Sequence, residues 1–211
     1  MQKKIDLLHG NLYSVLLWFA LPFLAANLIQ VLYGTVDLLV VGWYNGEAQI
    51  SAVSLGSQIT QLLLSLITGL TMGSTVLIAQ YAGNGKEKDI ESSIATTFTL
   101  FLFLGVMLTV VMLVLTPQLL QLIQTPPEAY GDACSYVYIC SIGIIFSFGY
   151  NAVSAVLRGL GDAKSPLYFI ITACIVNVVL DFLLVAGFHM GAAGAAIATT
   201  FSQGCLLYTS P

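Results

Sequence analysis

The chain has 211 residues, of which 58% are hydrophobic and only 8% charged, and its mean hydropathy is +0.93; soluble domains carry roughly a quarter charged residues, so a water-soluble fold is excluded. The formal charge of −4, with six Lys and Arg in all, leaves no basic stripe that could neutralise phosphates, which excludes nucleic acid as a partner. The four cysteines, Cys134, Cys140, Cys174 and Cys205, show no CxxC spacing and sit mostly in apolar runs, where a thiol behaves as a small hydrophobe rather than as a metal ligand or half of a disulfide.

Segments free of Asp, Glu, Lys and Arg cover 48–85, 92–127, 133–157, 165–180 and 182–211, and each membrane span needs roughly 20 apolar residues. Lys3 and Lys4 ahead of an apolar run suggest a secretory signal, but that run continues to Val41, so the segment is read as a retained first helix. Gly, Pro and charge clusters divide the chain into predicted helices at 12–43, 50–81, 92–115, 133–157, 166–188 and 192–208. The expected fold class is all-α, a polytopic membrane protein forming a six-transmembrane-helix lobe. Pro22 removes a backbone donor within the first helix and is expected to bend it.

With the amino terminus on the cytoplasmic side, Lys3, Lys4, Lys86, Lys88, Arg158 and Lys164 all fall on the inside, and these are every Lys and Arg in the chain. Cytoplasmic enrichment in Lys and Arg is the topology rule. The expectation is therefore a multi-pass protein of the cytoplasmic (inner) membrane, in contact with lipid, with its amino terminus cytoplasmic.

Two carboxylates fall inside predicted spans, Asp37 in the first and Asp181 in the fifth. Each costs about 2.5 to 3.5 kcal/mol at a helix centre on insertion scales, and no Lys or Arg lies within a span to pair with either. At about 1.5 Å per residue, Asp37 sits roughly 10 Å below Tyr44, Asp181 roughly 10 Å below Phe188, and Thr199 about 10 Å into the sixth helix. Asn177 precedes Asp181 by one helical turn and shares its face. Two carboxylates, an amide and a hydroxyl can thus converge in the outer half of one bundle, a donor set suited to Na⁺ or, through shared carboxylates, to H⁺. Asn177 and Thr199 taken alone are equally read as helix-packing hydrogen bonds.

Tyr136 and Tyr138, near the outer end of the fourth helix, are read as interfacial belt residues or as lining of a cavity mouth. Gly69 and Gly73 form a GxxxG, read as close helix packing. His9 and His189 lack metal-ligand spacing. Gly159-Leu160-Gly161-Asp162 matches the GxGD of intramembrane aspartyl proteases, but Arg158, Lys164 and Ser165-Pro166 around it mark a turn rather than the middle of a span. No nucleophile triad, phosphate loop or zinc signature is present, so no enzymatic activity and no cofactor are expected.

Several motifs in order carry a resemblance. Val36-Asp37-Leu38-Leu39-Val40-Val41-Gly42, followed by the segment from Ile50 to Leu55, resembles the first-helix signature of the multidrug and toxic compound extrusion family. Gly73 to Gly85 (GSTVLIAQYAGNG), Ala155 to Pro166 (AVLRGLGDAKSP), Asn177 to Asp181 (NVVLD) and Gly191 to Gln203 (GAAGAAIATTFSQ) are similar to the family's later motifs. The resemblance implies that the lobe is the amino-terminal half of a twelve-helix, two-lobe transporter. Such a transporter exports organic cations, drugs or other amphipathic small molecules in exchange for H⁺ or Na⁺. It also implies a cation site at Asp37, Asn177, Asp181 and Thr199, with Tyr136 or Tyr138 near it and Pro22 as a first-helix bend linked to the aspartate.

The family is roughly twice this length, so a carboxyl-terminal lobe is expected as the partner of residues 1–204. Gly204 to Pro211 (GCLLYTSP) departs from the helix-six pattern, and 205–211 are read as a non-native or truncated tail. Two other readings stand beside export: a flippase for a lipid-linked precursor on a related two-lobe fold, and a half-size protein acting as a dimer. The absence of Lys and Arg inside the spans favours cationic or neutral substrates over the flippase.

Overall fold

The computed structural model describes residues 12–209. The described chain forms six α-helices and one π turn: α1 (Leu12–Asn45), α2 (Glu47–Gly83), α3 (Glu87–Leu122), α4 (Pro127–Gly159), α5 (Ser165–Asp181), the π turn Phe182–Gly187 and α6 (Gly191–Thr209). Lys3, Lys4 and His9 lie outside the described residues. Five of the helices are long and apolar enough to cross a membrane. The sixth, α6, is rich in Gly, Ala and Thr, and it packs between α4 and α5.

Two helices outrun their sequence-based limits for the same reason, proline. The predicted end at 115 anticipates Pro117, yet α3 carries Pro117 within it and continues to Leu122; the bond lost is the one to the Leu113 carbonyl, one turn back, a loss that membrane helices tolerate. Pro127 opens α4 six residues before the predicted start, at a position where the missing N–H has no helical partner to lose. At its other end α6 runs on through Gly204 to Thr209 with Leu206 buried.

α4 is the centre of the bundle. Its most apolar window is 61% buried, against 17 to 28% in the other four spans, and it packs on α2, α3 and α6. Apolar burial does not drive helices together in lipid, so close approach and hydrogen bonds must do so. Three helices each place a threonine hydroxyl on an α4 carbonyl: Thr75 of α2 on Ala155 at 3.3 Å, Thr109 of α3 on Ser141 at 3.1 Å, and Thr200 of α6 on Ile139 at 3.1 Å. Phe101 and Phe148 meet edge to face with centroids 5.8 Å apart, joining α3 to α4. At Gly159 the two backbones pass closely, because a Cβ there would stand 2.8 Å from Ile78 and 3.0 Å from the Thr75 carbonyl oxygen.

The GxxxG of α2 does not pack in this way. A Cβ at Gly69 or Gly73 would meet nothing within 4 Å, and both glycines are exposed. Spacing alone does not say which face of α2 turns inward, and here it is the face of Thr71, Thr75 and Ile78.

Parallel packing of α2 and α4 brings the α2–α3 and α4–α5 turns to one end, hereafter the basic end, with Lys86, Lys88, Arg158 and Lys164. Asp162 organises the second of these turns: one carboxylate oxygen accepts from the backbone N–H groups of Lys164 at 3.0 Å and Ser165 at 3.1 Å, and the other accepts from the Ser165 hydroxyl. This is the role of a turn residue, not of a membrane-embedded acid. Partial burial works against its charge, but the hydrogen bonds from Ser165 and Lys164 outweigh that and hold the Asp162 carboxyl below the usual carboxylate range. A lowered folded value means that its stabilisation is present above the unfolded value, about 3.9, and is lost as pH falls through the folded one. Asp162→Ala is expected to cost about 1 kcal/mol at neutral pH, the usual worth of such a cap. Melting curves of the two proteins should converge in acid.

The opposite end is tied by Gln49. Its amide N–H donates to the Asp132 carboxylate and its carbonyl accepts from the Ala192 N–H at 2.7 Å, linking the starts of α2, α4 and α6.

Candidate functional site

Asp37 projects from the second half of α1, a helix that runs unbroken past Pro22. Asn177 and Asp181 stand one turn apart on the inward face of α5, with Thr199 on α6 facing them. Asp37 is 4% exposed, and Asn177 and Asp181 are wholly buried. The Thr199 hydroxyl donates to one Asp37 carboxylate oxygen at 3.0 Å. The Asp181 carboxyl and the Asn177 amide are the other near neighbours of Asp37. All four sequence-derived site residues therefore meet at one place, supplied by three helices.

The hydrogen-bond inventory of this cluster is incomplete in one direction. The second oxygen of Asp37, both oxygens of Asp181 and both polar atoms of the Asn177 amide are buried without a hydrogen-bond partner. Among the described residues no Lys or Arg forms an ion pair with either carboxylate; the ion pair present, Lys86 with Asp89 at 3.7 Å, is exposed and lies at the basic end. A buried polar atom left without a partner costs about 1 to 3 kcal/mol, and more when charged. The four oxygens in this state, one from Asp37, two from Asp181 and one from Asn177, form with the nearby Thr199 hydroxyl a hard donor set of the kind that binds a proton or a small hard cation.

The π turn begins at the residue after Asp181. Its bonds reach further than those of an α-helix, as Phe188 N–H to the Leu183 carbonyl at 3.1 Å shows. Such turns recur at functional sites, and this one widens the helix directly beyond the carboxylate. Val185 within it is fully buried, so Asn177, Asp181 and Val185 keep to one inward face.

A cavity of about 100 Å³ adjoins the cluster, lined by Asp37 and Thr199 together with Gln30, Tyr33, Thr60 and Tyr136. Tyr136 is thus a lining residue, 4% exposed. Tyr138, two positions along α4, is half-buried on another face and is not part of the wall of this cavity. Pro22 lies further along α1, toward the basic end, in the wall of a separate cavity. Sequence reasoning passed over Gln30, Tyr33 and Gln203, whose amide N–H donates to the Tyr33 hydroxyl at 3.4 Å. Their signal was available, because Gln30, Tyr33 and Asp37 recur at helical spacing on α1.

Gly56 of α2 lets Tyr136 reach the cavity wall, since a Cβ at Gly56 would stand 2.5 Å from the Tyr136 ring. Gly56→Ala must displace that ring. It is expected to destabilise the protein by about 1 to 3 kcal/mol, the usual cost of overpacking, read as a lower melting temperature of the purified protein.

Comparison with known proteins agrees with this architecture. The MatE family model matches residues 22–183. The chain is 37% identical over 202 residues to the probable multidrug resistance protein YpnP of Bacillus subtilis, covering 96% of this chain and 45% of that protein. It is 33% identical over 197 residues to the probable multidrug resistance protein NorM of Thermotoga maritima, covering 89% and 41%. Among solved structures, a MATE protein in a bent conformation superposes with a TM-score of 0.92 at 25% identity, covering 99% of this chain and 46% of that one. An outward-facing multidrug resistance MATE family transporter gives 0.90 at 26% identity, covering 99% and 46%. The chain spans about half the length of the curated relatives it matches. With more than half of its residues under the family model, it belongs to the MatE family.

Proposed function

We propose that this chain is the coupling-ion lobe of a cation-driven antiporter that exports organic cations, drugs or other amphipathic small molecules across the cytoplasmic membrane. One observation carries this reading. Two carboxylates and an amide are buried together within a membrane bundle, and most of their oxygens lack a protein partner. Neighbouring desolvated carboxylates bear a single added positive charge far better than two uncompensated negative ones, so the cluster takes up H⁺ or Na⁺.

The two faces of the lobe support a further half. α3 exposes Leu102, Phe103, Val106, Val110 and Val114, a lipid-facing series. α1 and α2 expose large apolar side chains as well, Leu24, Leu28, Leu62 and Leu66 among them, but interleave them with exposed Asn27, Gln61, Ser65 and Thr68, which suit a water-filled passage or a second lobe better than hydrocarbon. On this reading the basic end is cytoplasmic, by the enrichment of Lys and Arg there. Cation uptake at Asp37 and Asp181 alters α1 on the Asp37 side of Pro22, and the two lobes rock between inward and outward openings.

The complete protein in liposomes tests the proposal. Export of a fluorescent organic cation should follow an imposed gradient of H⁺ or of Na⁺, and collapse when that gradient is dissipated. Transport indifferent to both gradients would remove the coupling from the account.

A further inference from the structure

Arg158, in the last turn of α4, has no counter-charge within the lobe. Its guanidinium lies over the Phe23 ring of α1, 5.3 Å from the centroid, and the residue is half-buried. Stacking engages the flat face of the group and leaves its N–H donors, which lie in the plane, at the edge. Among the described residues no carboxylate forms an ion pair with it. The acid nearest in sequence, Asp162, is committed elsewhere, since both of its oxygens accept from Lys164 and Ser165 inside the α4–α5 turn.

Arg158 forms part of the wall of a pocket of about 60 Å³, together with Phe23, Asn27, Thr68, Met72 and Asn151. At roughly 10 to 15 Å³ per water position the space holds several waters, which is room for the three heavy atoms of a carboxylate group. Two amides add donors to the wall. One N–H of Asn27 is held by the Phe23 carbonyl at 2.9 Å and one of Asn151 by the Ser147 carbonyl at 2.8 Å, so each amide keeps a second N–H. Asn27 of α1 and Thr68 and Met72 of α2 are exposed. The pocket therefore opens between α1 and α2, outward from the lobe.

We propose that this pocket receives an aspartate or glutamate side chain from the second half of the complete protein, which pairs with Arg158 and ties the two halves at the basic end. The inference rests on the two-lobe reading given above, which the coverage of about half of each relative supports. Three features select this occupant. The charge in the wall is positive and uncompensated, so its complement is acidic. A guanidinium fixed on a ring is preorganised for two parallel N–H···O bonds to a planar carboxylate. The mouth lies on the α1 and α2 face, where polar residues interrupt the apolar ones, and not on the lipid-facing series of α3.

The test uses the complete protein with Arg158→Lys, in vesicles of phosphatidylcholine and phosphatidylserine, treated with a water-soluble carbodiimide. The reagent activates a carboxylate, the introduced amine displaces the urea, and an amide bond forms as the carbodiimide takes up the water lost. Mass spectrometry of the digest should show residue 158 joined to an Asp or Glu of the second half, a product absent from the parent. The exposed pair Lys86 and Asp89, 3.7 Å apart, is the control for reaction. An amide from residue 158 only to a carboxylate within residues 1–211, or only to a phosphatidylserine headgroup, overturns the pairing, as does no amide at 158 while the control pair is joined.

Arg158→Glu supplies an independent readout. Two acids facing each other repel, so export should fall about ten-fold or more, and variants selected for recovery should replace an Asp or Glu of the second half by Lys or Arg. Unchanged export, or recovery arising only within residues 1–211, overturns the pairing. The two readings fail differently. A native gene product no longer than this chain refutes the two-lobe reading itself, whereas a full-length product without the amide or the second-half recovery refutes the Arg158 pair alone.

Discussion

Asp37→Asn and Asp181→Asn should each abolish gradient-driven export by the complete protein, a loss of at least about ten-fold in rate, without lowering its abundance in the membrane. Asparagine keeps the shape and a hydrogen-bonding oxygen but cannot exchange a positive charge with solution. The same substitutions remove a desolvated carboxylate that has no Lys or Arg partner, and replacing uncompensated buried charge is often neutral or stabilising. Each variant is therefore expected to melt no lower than the parent. Loss of export with retained thermal stability separates a coupling role from a packing one. A variant that loses both in proportion would return the two aspartates to the status of structural residues.

Gly159→Val should be among the most damaging single changes for assembly of the bundle. The added atoms would meet Ile78 at 2.8 Å and the backbone carbonyl of Thr75 at 3.0 Å, and a backbone atom in α2 cannot step aside as a side chain can. α2 and α4 must separate, which also weakens the Thr75 hydrogen bond to Ala155. A cost at or above the roughly 1 to 3 kcal/mol typical of overpacking is expected, read as a lower melting temperature and reduced yield of folded protein in detergent. Gly73→Val, in the exposed GxxxG of the same helix, should leave the folding of this lobe unchanged by comparison. That contrast tests whether α4, not the GxxxG face, is the packing partner of α2 within the lobe.

The number and order of helices were legible because charge-free runs of membrane length are separated by turns that contain nearly all the charge. The carboxylate site was legible for a related reason. A charged residue in a span is costly enough to stand out, and equal depths could be reckoned from helix ends without knowing the fold. Less accessible were features that depend on which face of a helix meets which neighbour. Gly69 and Gly73 have a packing spacing and yet face outward; Tyr136 and Tyr138 are two residues apart and lie on different faces, with only Tyr136 at the cavity. Gln49 could not be singled out, because its role depends on Asp132 and Ala192 being brought beside it by the fold. The π turn after Asp181 also left no mark, since Phe182–Gly187 reads as ordinary apolar helix and the wider turn is set by tertiary packing around Val185.

Pro117 and Pro22 show where local rules give way to environment. Both lie inside helices that a soluble-protein reading would end or break, and in each case the span continues because hydrocarbon offers the backbone no alternative partner. The resemblance read from the motifs at Asp37, Ala155 to Pro166 and Asn177 to Asp181 assigned the family that the comparisons then showed.

The central claim is that Asp37 and Asp181 together bind an exchangeable cation. Infrared difference spectra of the purified complete protein, recorded while pH is raised or Na⁺ is added, test it most directly. The account predicts loss of a protonated carboxyl band on at least one of these treatments, and absence of that change in the Asp37→Asn, Asp181→Asn double variant; the same change persisting in the double variant, or no cation-sensitive carboxyl in the parent, would contradict it.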